Sequence, residues 1–419
     1  MHNLFDRTGH RWRALAPLVS ILSLALLLSG PVSADEDFGG FRGEDDNGWY
    51  HPVDVEGWQA LGGDPDAMQR TLRRIAMATG ERRFADQPDT TIVYGPGHWT
   101  YEWTATGERA WDKARTATDP VDRRQHALAA MTYFNLASSP HGNAPEQRAA
   151  LSKSSEAYLL AASTLAETVA KVAIDHDGKR FAVHTHLPEG NGPFPVVVVS
   201  NGSDQSKEGL LSYFTDHLSP RGIAMIGLDM PGMGDSAAYT MDTTKPDALH
   251  IAAVNWAKAQ PQFDPRNVFL HGSSFGGHAV ARAFLRPDAP DVAGVVYVCG
   301  PLDAPFVAPP EAYDSLPVFT MDGVRTRLGL ELSATSEQLA PLMRPIAVSS
   351  DRLLEGGAIT TPILALNTNG DPVAPVAEMD AMLTRATNAT RVVFDEAGHC
   401  VDDQLEAVIA SAWIADNLR

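Results

Sequence analysis

Near the middle of the chain the run Gly272-Ser273-Ser274-Phe275-Gly276 sets a serine between two glycines, each two positions away. A serine hydroxyl is a weak nucleophile until a base removes its proton, and that base must be oriented by an acid. The chain offers both partners further on. Asp371 stands in Asn367-Thr368-Asn369-Gly370-Asp371-Pro372, and His399 in Asp395-Glu396-Ala397-Gly398-His399. Serine, then acid, then histidine is one of the chain orders in which a nucleophile, an orienting carboxylate and a general base occur. Attack on a carbonyl carbon would create an oxyanion, which backbone N–H groups must stabilise. Phe275, directly after the serine, supplies one such amide. The second is expected from Gly202 or Ser203 in Ser200-Asn201-Gly202-Ser203-Asp204. Asp395, Asp402 and Asp403 crowd the same histidine and rival Asp371 for the acid role, but they lack a strand of their own.

Such residues act only if a scaffold brings them together, and the sequence around each suggests one. Val268 to His271 reads as a strand and Gly277 to Arg286 as a helix, so Ser274 falls on a strand–turn–helix junction that exposes the hydroxyl at the end of a sheet. Asp371 follows the apolar run Pro362 to Leu366, and His399 follows Arg391 to Phe394. Further strands are expected at Phe194 to Val199, Ile223 to Leu228 and Val292 to Val298. Val169 to Ile174 and Phe181 to His186 form a hairpin around Asp177-Gly178. Short β-branched runs alternating with helices predict a mostly parallel, doubly wound sheet covered on both faces. Leu302 to Gly357 lacks strand runs and is rich in proline, which suggests a helical insertion above the sheet.

Ahead of the sheet, residues 64–166 carry helical periodicity. Met68, Leu72, Ile75 and Met77 recur every two to four positions, and His126 to Leu136 and Leu151 to Leu165 are Ala-rich with the same recurrence. A helical domain that closes over the site is therefore expected before an α/β domain at 167–419. Residues 35–63 begin with Asp35-Glu36-Asp37 and three glycines, and read as a flexible lead-in. Residues 1–34 place Arg7, Arg11 and Arg13 before an apolar run from Ala14 to Leu28 and the small residues Val32-Ser33-Ala34. That is the order of a signal peptide, and it predicts export to the periplasm or beyond. An uncleaved N-terminal anchor is the alternative.

The chain carries a net charge of −19, and loss of the +2 on residues 1–34 would leave −21. So acidic a surface repels nucleic-acid backbones and anionic lipid, and it suits a small neutral or cationic substrate. Beyond the possible anchor, no membrane partner is expected, and a homodimer is left open. Cys299 and Cys400 are the two cysteines; they permit one bridge without requiring it. No cofactor or metal is called for. His184 and His186 alternate on one strand face, but with no third ligand spaced to join them they read as surface residues. His271 and His278, which flank the serine, read as packing groups. His98 lies in the aromatic stretch Tyr94 to Tyr101, which suits a pocket lining or a domain interface.

From about Tyr94 to Leu418 the chain resembles the FrsA-like branch of the α/β-hydrolases. The likeness rests on Leu136-Ala137-Ser138-Ser139-Pro140-His141, Gly192-Pro193-Phe194-Pro195, Gly202-Ser203-Asp204-Gln205-Ser206-Lys207, Pro220-Arg221-Gly222-Ile223-Ala224 and Asp229-Met230-Pro231-Gly232-Met233-Gly234. The resemblance implies an α/β-hydrolase fold with an N-terminal helical domain over the site. It implies hydrolysis of an ester or of a carbon–carbon bond beside a ketone. Relatives that cleave C–C bonds carry an acidic residue where Asp204 stands, which implies a substrate-binding or proton-handling role there. Some members named for a regulatory switch lack the serine. This chain keeps Ser274, which favours an enzyme over a non-catalytic regulatory binding protein.

Overall fold

The computed structural model describes residues 48–139, 144–203 and 205–419. The signal-peptide reading for residues 1–34, the lead-in as far as residue 47, and Asp204 all lie outside the described residues.

The end of the supposed flexible lead-in is in fact packed. Val53 and Trp58 are buried, and helix α1 (Val55–Ala60) is capped by Asp54, whose carboxylate accepts from the Gly57 N–H at 2.9 Å. The glycine-rich composition upstream masked the two apolar anchors that hold residues 48–63 down. Helix α2 (Pro65–Ala76) starts with Asp64 as N-cap and Pro65 in the first turn, both favourable there. Its Met68, Leu72 and Ile75 form one buried stripe; Met77, beyond the helix end, is exposed.

Helices α3 (Trp99–Thr116), α4 (Pro120–Ser138) and α5 (Pro145–Ala162) complete the helical layer. Alanines at 127, 130, 137, 150, 157 and 161 are all buried. Small side chains there let the helix axes approach closely, while Trp99, Trp103, Tyr133 and Tyr158 fill the space between them. Each of these aromatic rings contributes several times what an alanine does, because apolar burial scales with area at about 25 cal/mol per Å².

The sheet follows. Strands β1 (Thr168–His176) and β2 (Lys179–Leu187) form the antiparallel hairpin, and β3 (Phe194–Ser200) and β4 (Ala224–Gly227) come next. Helix α6 (Ala248–Lys258), β5 (Phe263–Ser273), α7 (Phe275–Leu285) and β6 (Gly294–Val298) form the centre. The spatial order is β1-β2-β4-β3-β5-β6-β7-β8, where β7 is Ile363–Gly370 and β8 is Ala389–Ala397. Strands β3 to β8 run parallel; β2 meets β4 antiparallel. Val196 and Val198 pack into one buried cluster, and Val197 and Val199 into another on the opposite face. A strand covered on both sides needs no polar alternation, which is why β3 reads as continuous valine.

Between β6 and β7 lie the short helix α8 (Pro310–Tyr313), α9 (Val318–Arg327) and α10 (Ser336–Met343). Their Phe319, Met321, Leu339 and Met343 are buried, and Met321, Leu339 and Met343 join Met230, Met233 and Phe275 in one cluster. The insertion is therefore anchored directly beside the serine. Helices α11 (Val376–Leu383) and α12 (Asp403–Asp416) close the chain. Among the described residues no helix is long and apolar enough to cross a membrane.

One sequence expectation fails here. His184 and His186 are fully buried. Alternation does send both to one face of β2, but α5 covers that face. Tyr158 stacks on the His184 ring with 4.7 Å between centroids, and its hydroxyl lies 2.6 Å from His186 Nε2.

Candidate active site

Strand β5 ends at Ser273, and α7 begins at Phe275, so Ser274 must turn the chain within one residue. It does so at φ 52° and ψ −119°, a backbone state that costs a non-glycine residue about 1–3 kcal/mol and persists only where surrounding packing imposes it. The flanking glycines are required by contact. A Cβ on Gly272 would lie 2.3 Å from the Gly276 carbonyl oxygen, and one on Gly276 would lie 2.4 Å from the Ser200 carbonyl oxygen. Any larger residue would push β5, α7 and β3 apart.

His399, 125 positions after Ser274 and 28 after Asp371, converges with both at the carboxyl ends of the strands. Ser274 Oγ lies 2.7 Å from His399 Nε2, and His399 Nδ1 lies 2.9 Å from both carboxylate oxygens of Asp371. The Asp371 side chain is fully buried and that of His399 is 27% exposed, so the acid is shielded while the base can be reached. Burial works to raise the Asp371 pKa, but hydrogen bonds from His399 and from the Ala374 and Val373 N–H groups outweigh it and hold the carboxyl below its usual range. Asp371 thus stays ionised beside the imidazole. Of the rival acids, Asp402 instead caps α12, accepting from the Gln404 and Leu405 N–H groups at 3.0 Å. Burial and then the nearby Glu406 raise the Asp403 pKa, and Asp395 is exposed.

The Phe275 N–H belongs to the first turn of α7, where backbone donors lack intrahelical acceptors. Gly202 presses against the serine from the β3 side: a Cβ there would sit 3.0 Å from Ser274 Cβ and 3.4 Å from its Oγ. Ser203 lies one residue further along, and its carbonyl accepts from the Arg327 guanidinium. Arg327 is almost wholly buried and comes from α9. Sequence reasoning missed it, because nothing in a short helix of an insertion announces which arginine will reach a distant loop.

Two polar networks support these loops. Lys207, buried, donates from Nζ to Asp229 and Asp235 at 2.7 Å each, and its own N–H donates to Asp229 Oδ1 at 3.0 Å. This pins the segment after Gly202 to the loop after β4. His184, Glu208 and Asp235 bring three ligand-type atoms within 4.8 Å of one another, so distant residues do join His184. The Lys207 ammonium lies among them, 3.1 Å from Glu208 Oε1, and neutralises the carboxylates in the place a cation would take. Behind the serine, Glu406 accepts from His271 Nε2 at 2.8 Å and from the Ser273 hydroxyl, and the Tyr213 hydroxyl pairs with His271 Nδ1 at 3.0 Å. His278 is held between the Pro301 and Ile346 carbonyls, at 2.7 and 3.1 Å. Cys299 and Cys400 are disulfide-bonded, which ties the residue after His399 to the end of β6.

This geometry sits in a chain whose residues 33–419 match the family described as Esterase FrsA-like. The chain belongs to that family. Esterase FrsA of Vibrio cholerae serotype O1 is 30% identical over 386 residues, 90% of each chain. Esterase FrsA of Photobacterium profundum is 29% identical over 339 residues, 79% of each. Among solved structures, 2,6-dihydroxy-pseudo-oxynicotine hydrolase superposes with a TM-score of 0.64 at 19% identity, covering 86% of this chain and 95% of that one. AbyA5 gives 0.58 at 20%, covering 78% and 94%. These likenesses show the α/β-hydrolase fold, and membership of an esterase family makes the chain a hydrolase.

Proposed function

We propose that the chain hydrolyses carboxylic esters of small organic molecules through an acyl-enzyme on Ser274. The observation that carries this reading is the continuous relay of 2.7 and 2.9 Å contacts from Ser274 through His399 to Asp371. In it, His399 takes the serine proton as Oγ attacks the ester carbonyl, and Asp371 stabilises the imidazolium and fixes its orientation. The oxyanion is held by the Phe275 N–H and by an N–H of the Gly202–Ser203 turn; one such donor contributes roughly 3–4 kcal/mol. His399 then returns the proton to the leaving alkoxide. Water, deprotonated by the same histidine, releases the acid.

The site of action is proposed to be outside the cytoplasm. The signal-like order of residues 1–34 and the bond between the two cysteines support this, since disulfides persist in oxidising compartments.

The test uses the purified protein and a fluorophosphonate, which labels only an activated serine. Labelling at Ser274 together with turnover of short p-nitrophenyl esters is the expected result. Labelling with turnover of aryl β-diketones in place of esters would move the chemistry to C–C bond cleavage by the same residues. Absence of labelling would leave a non-catalytic binding protein.

A further inference from the structure

A cavity of about 880 Å³ runs between the helical layer and the sheet. Its lining includes His51, Trp58 and Trp99 together with Asn201 and Ser273, the residues before Gly202 and Ser274, but not Ser274, Asp371 or His399 themselves. His51 is only 6% exposed. Its Nδ1 lies 2.7 Å from Asp89 Oδ2, and the fully buried Asp89 carboxylate also accepts from the His51 and Tyr50 N–H groups at 2.8 and 2.9 Å. The ring stacks flat on Trp99, with 3.8 Å between centroids and 4° between planes. The Nε2 atom, itself buried, has no hydrogen-bond partner among the described residues.

A buried polar atom left unpaired is costly, and a histidine whose Nδ1–H is committed to a carboxylate presents Nε2 as an acceptor. Among the described residues, the cavity walls carry Asp54, Glu56, Asp216, Asp402, Asp403 and Glu406, and neither lysine nor arginine. Such a wall repels anions and favours groups that donate hydrogen bonds or carry positive charge. We infer that His51, oriented by Asp89, is a specificity-determining residue: its Nε2 accepts a hydrogen bond from a hydroxyl or protonated amine on the substrate, remote from the bond cleaved by Ser274. This rests on the ester-hydrolase reading above. The indole of Trp99 beneath the imidazole and Phe319 beside it, with 5.4 Å between ring centroids, make this part of the cavity suited to a flat or aromatic portion of the substrate.

The test compares four aryl esters that differ only in a distal substituent: hydroxyl, aminomethyl, methyl or carboxylate. The wild-type enzyme should favour the hydroxyl or aminomethyl ester over the methyl ester by at least about tenfold in kcat/KM, because a site built for a donor rejects the analogue that lacks it. Most of the difference should appear in KM. In His51→Phe that ratio should collapse towards one, and His51→Gln, which keeps an acceptor oxygen, should restore part of it. A preference for the aminomethyl ester alone would assign the recognised group as a cation; a preference for both would assign a general donor. Equal rates on the hydroxyl, aminomethyl and methyl esters in the wild type, or a ratio unchanged in His51→Phe, would overturn the proposal. Fluorophosphonate labelling of Ser274 in every variant separates these outcomes from failure of the hydrolase reading, in which no ester would turn over and no label would attach.

Discussion

Two histidines in this molecule are built alike and face different surroundings. His399 and His51 each hold Nδ1 against a fully buried aspartate, Asp371 in one case and Asp89 in the other, at 2.9 and 2.7 Å. At the sheet the free nitrogen meets the Ser274 hydroxyl at 2.7 Å; in the helical layer it has no hydrogen-bond partner among the described residues. The His–Asp pair is therefore not itself the catalytic device. It fixes a tautomer and aims a lone pair, and what lies in front of that lone pair decides whether it activates a nucleophile or reads a ligand. The surroundings differ to match. His399 is partly exposed, on a loop tethered by the bond between Cys400 and Cys299. His51 is buried and stacked on Trp99 in a segment fastened to the insertion, where Asp322 accepts from the Tyr50 hydroxyl at 2.6 Å and from Arg83 Nη1 at 2.5 Å.

The comparison breaks most sharply at the aspartates. Asp371→Asn should lower kcat by about 10⁴-fold, as in other triads where the amide cannot stabilise the imidazolium. Asp89→Asn should instead change KM for donor-bearing esters by about tenfold. Steady-state kinetics on one ester pair measures both. Ser274→Ala and His399→Ala should add little when combined with Asp371→Asn, since the three act as a unit. A retained rate in Asp371→Asn would pass the acid role to a neighbouring aspartate.

The tether gives the next largest effect. The bridge closes a separation of 101 residues, so replacing Cys299 and Cys400 together with serine should lower the unfolding free energy by up to about 4–5 kcal/mol. Denaturant unfolding of the oxidised wild type and the double variant reads this directly. Because Cys400 adjoins His399, kcat should fall in the variant under conditions where it remains folded.

Loosening the other region should cost less. Asp322→Ala removes the acceptor shared by Tyr50, Arg83 and Arg325, at about 2–3 kcal/mol, since Arg83 is already partly solvated. The expected signature is a lower melting temperature with a raised KM. An unaltered KM would disconnect the clasp from the part of the cavity lined by His51.

The effect of the buried histidines is the smallest near neutral pH and grows with acidity. Burial pushes His186, between the helical layer and the sheet, down to about 3, and pushes His278, beneath the insertion, also to about 3. Their folded pKa values lie below the unfolded value of about 6.5, so the unfolded chain binds protons first as pH falls. Their stabilising effect is complete above about pH 6.5 and declines towards pH 3, by roughly 1.4 kcal/mol per histidine per pH unit. His278→Gln should remove one such share from the slope of unfolding free energy measured at pH 4, 5 and 6.

Much of the half that carries Ser274 was legible in the chain because its geometry is enforced locally. The glycines around Ser274 answer contacts made within a few residues or with the adjacent strand, and the valine runs of β3 and β6 declare burial on both faces. Asp371 and His399 were legible because each follows a strand that the parallel order brings to the same edge of the sheet. The helical half was read for its helices and misread for its contacts. His184 and His186 look like the solvent side of a hairpin until α5 is laid over them, and residues 48–63 look loose until Trp58 finds the α3 aromatics.

The sequence by itself determined the strand–turn–helix around Ser274, the succession of serine, aspartate and histidine, and the parallel sheet that carries them, since these follow from sterics and periodicity over short spans. Only the tertiary structure decided that Asp371 and not Asp402 meets His399, that Arg327 reaches the Ser203 carbonyl, and that His51 faces a cavity with its partner already chosen. Those contacts join residues tens to hundreds of positions apart. Their partners are selected by how the helical layer, the insertion and the sheet pack, and a local pattern carries no record of that packing.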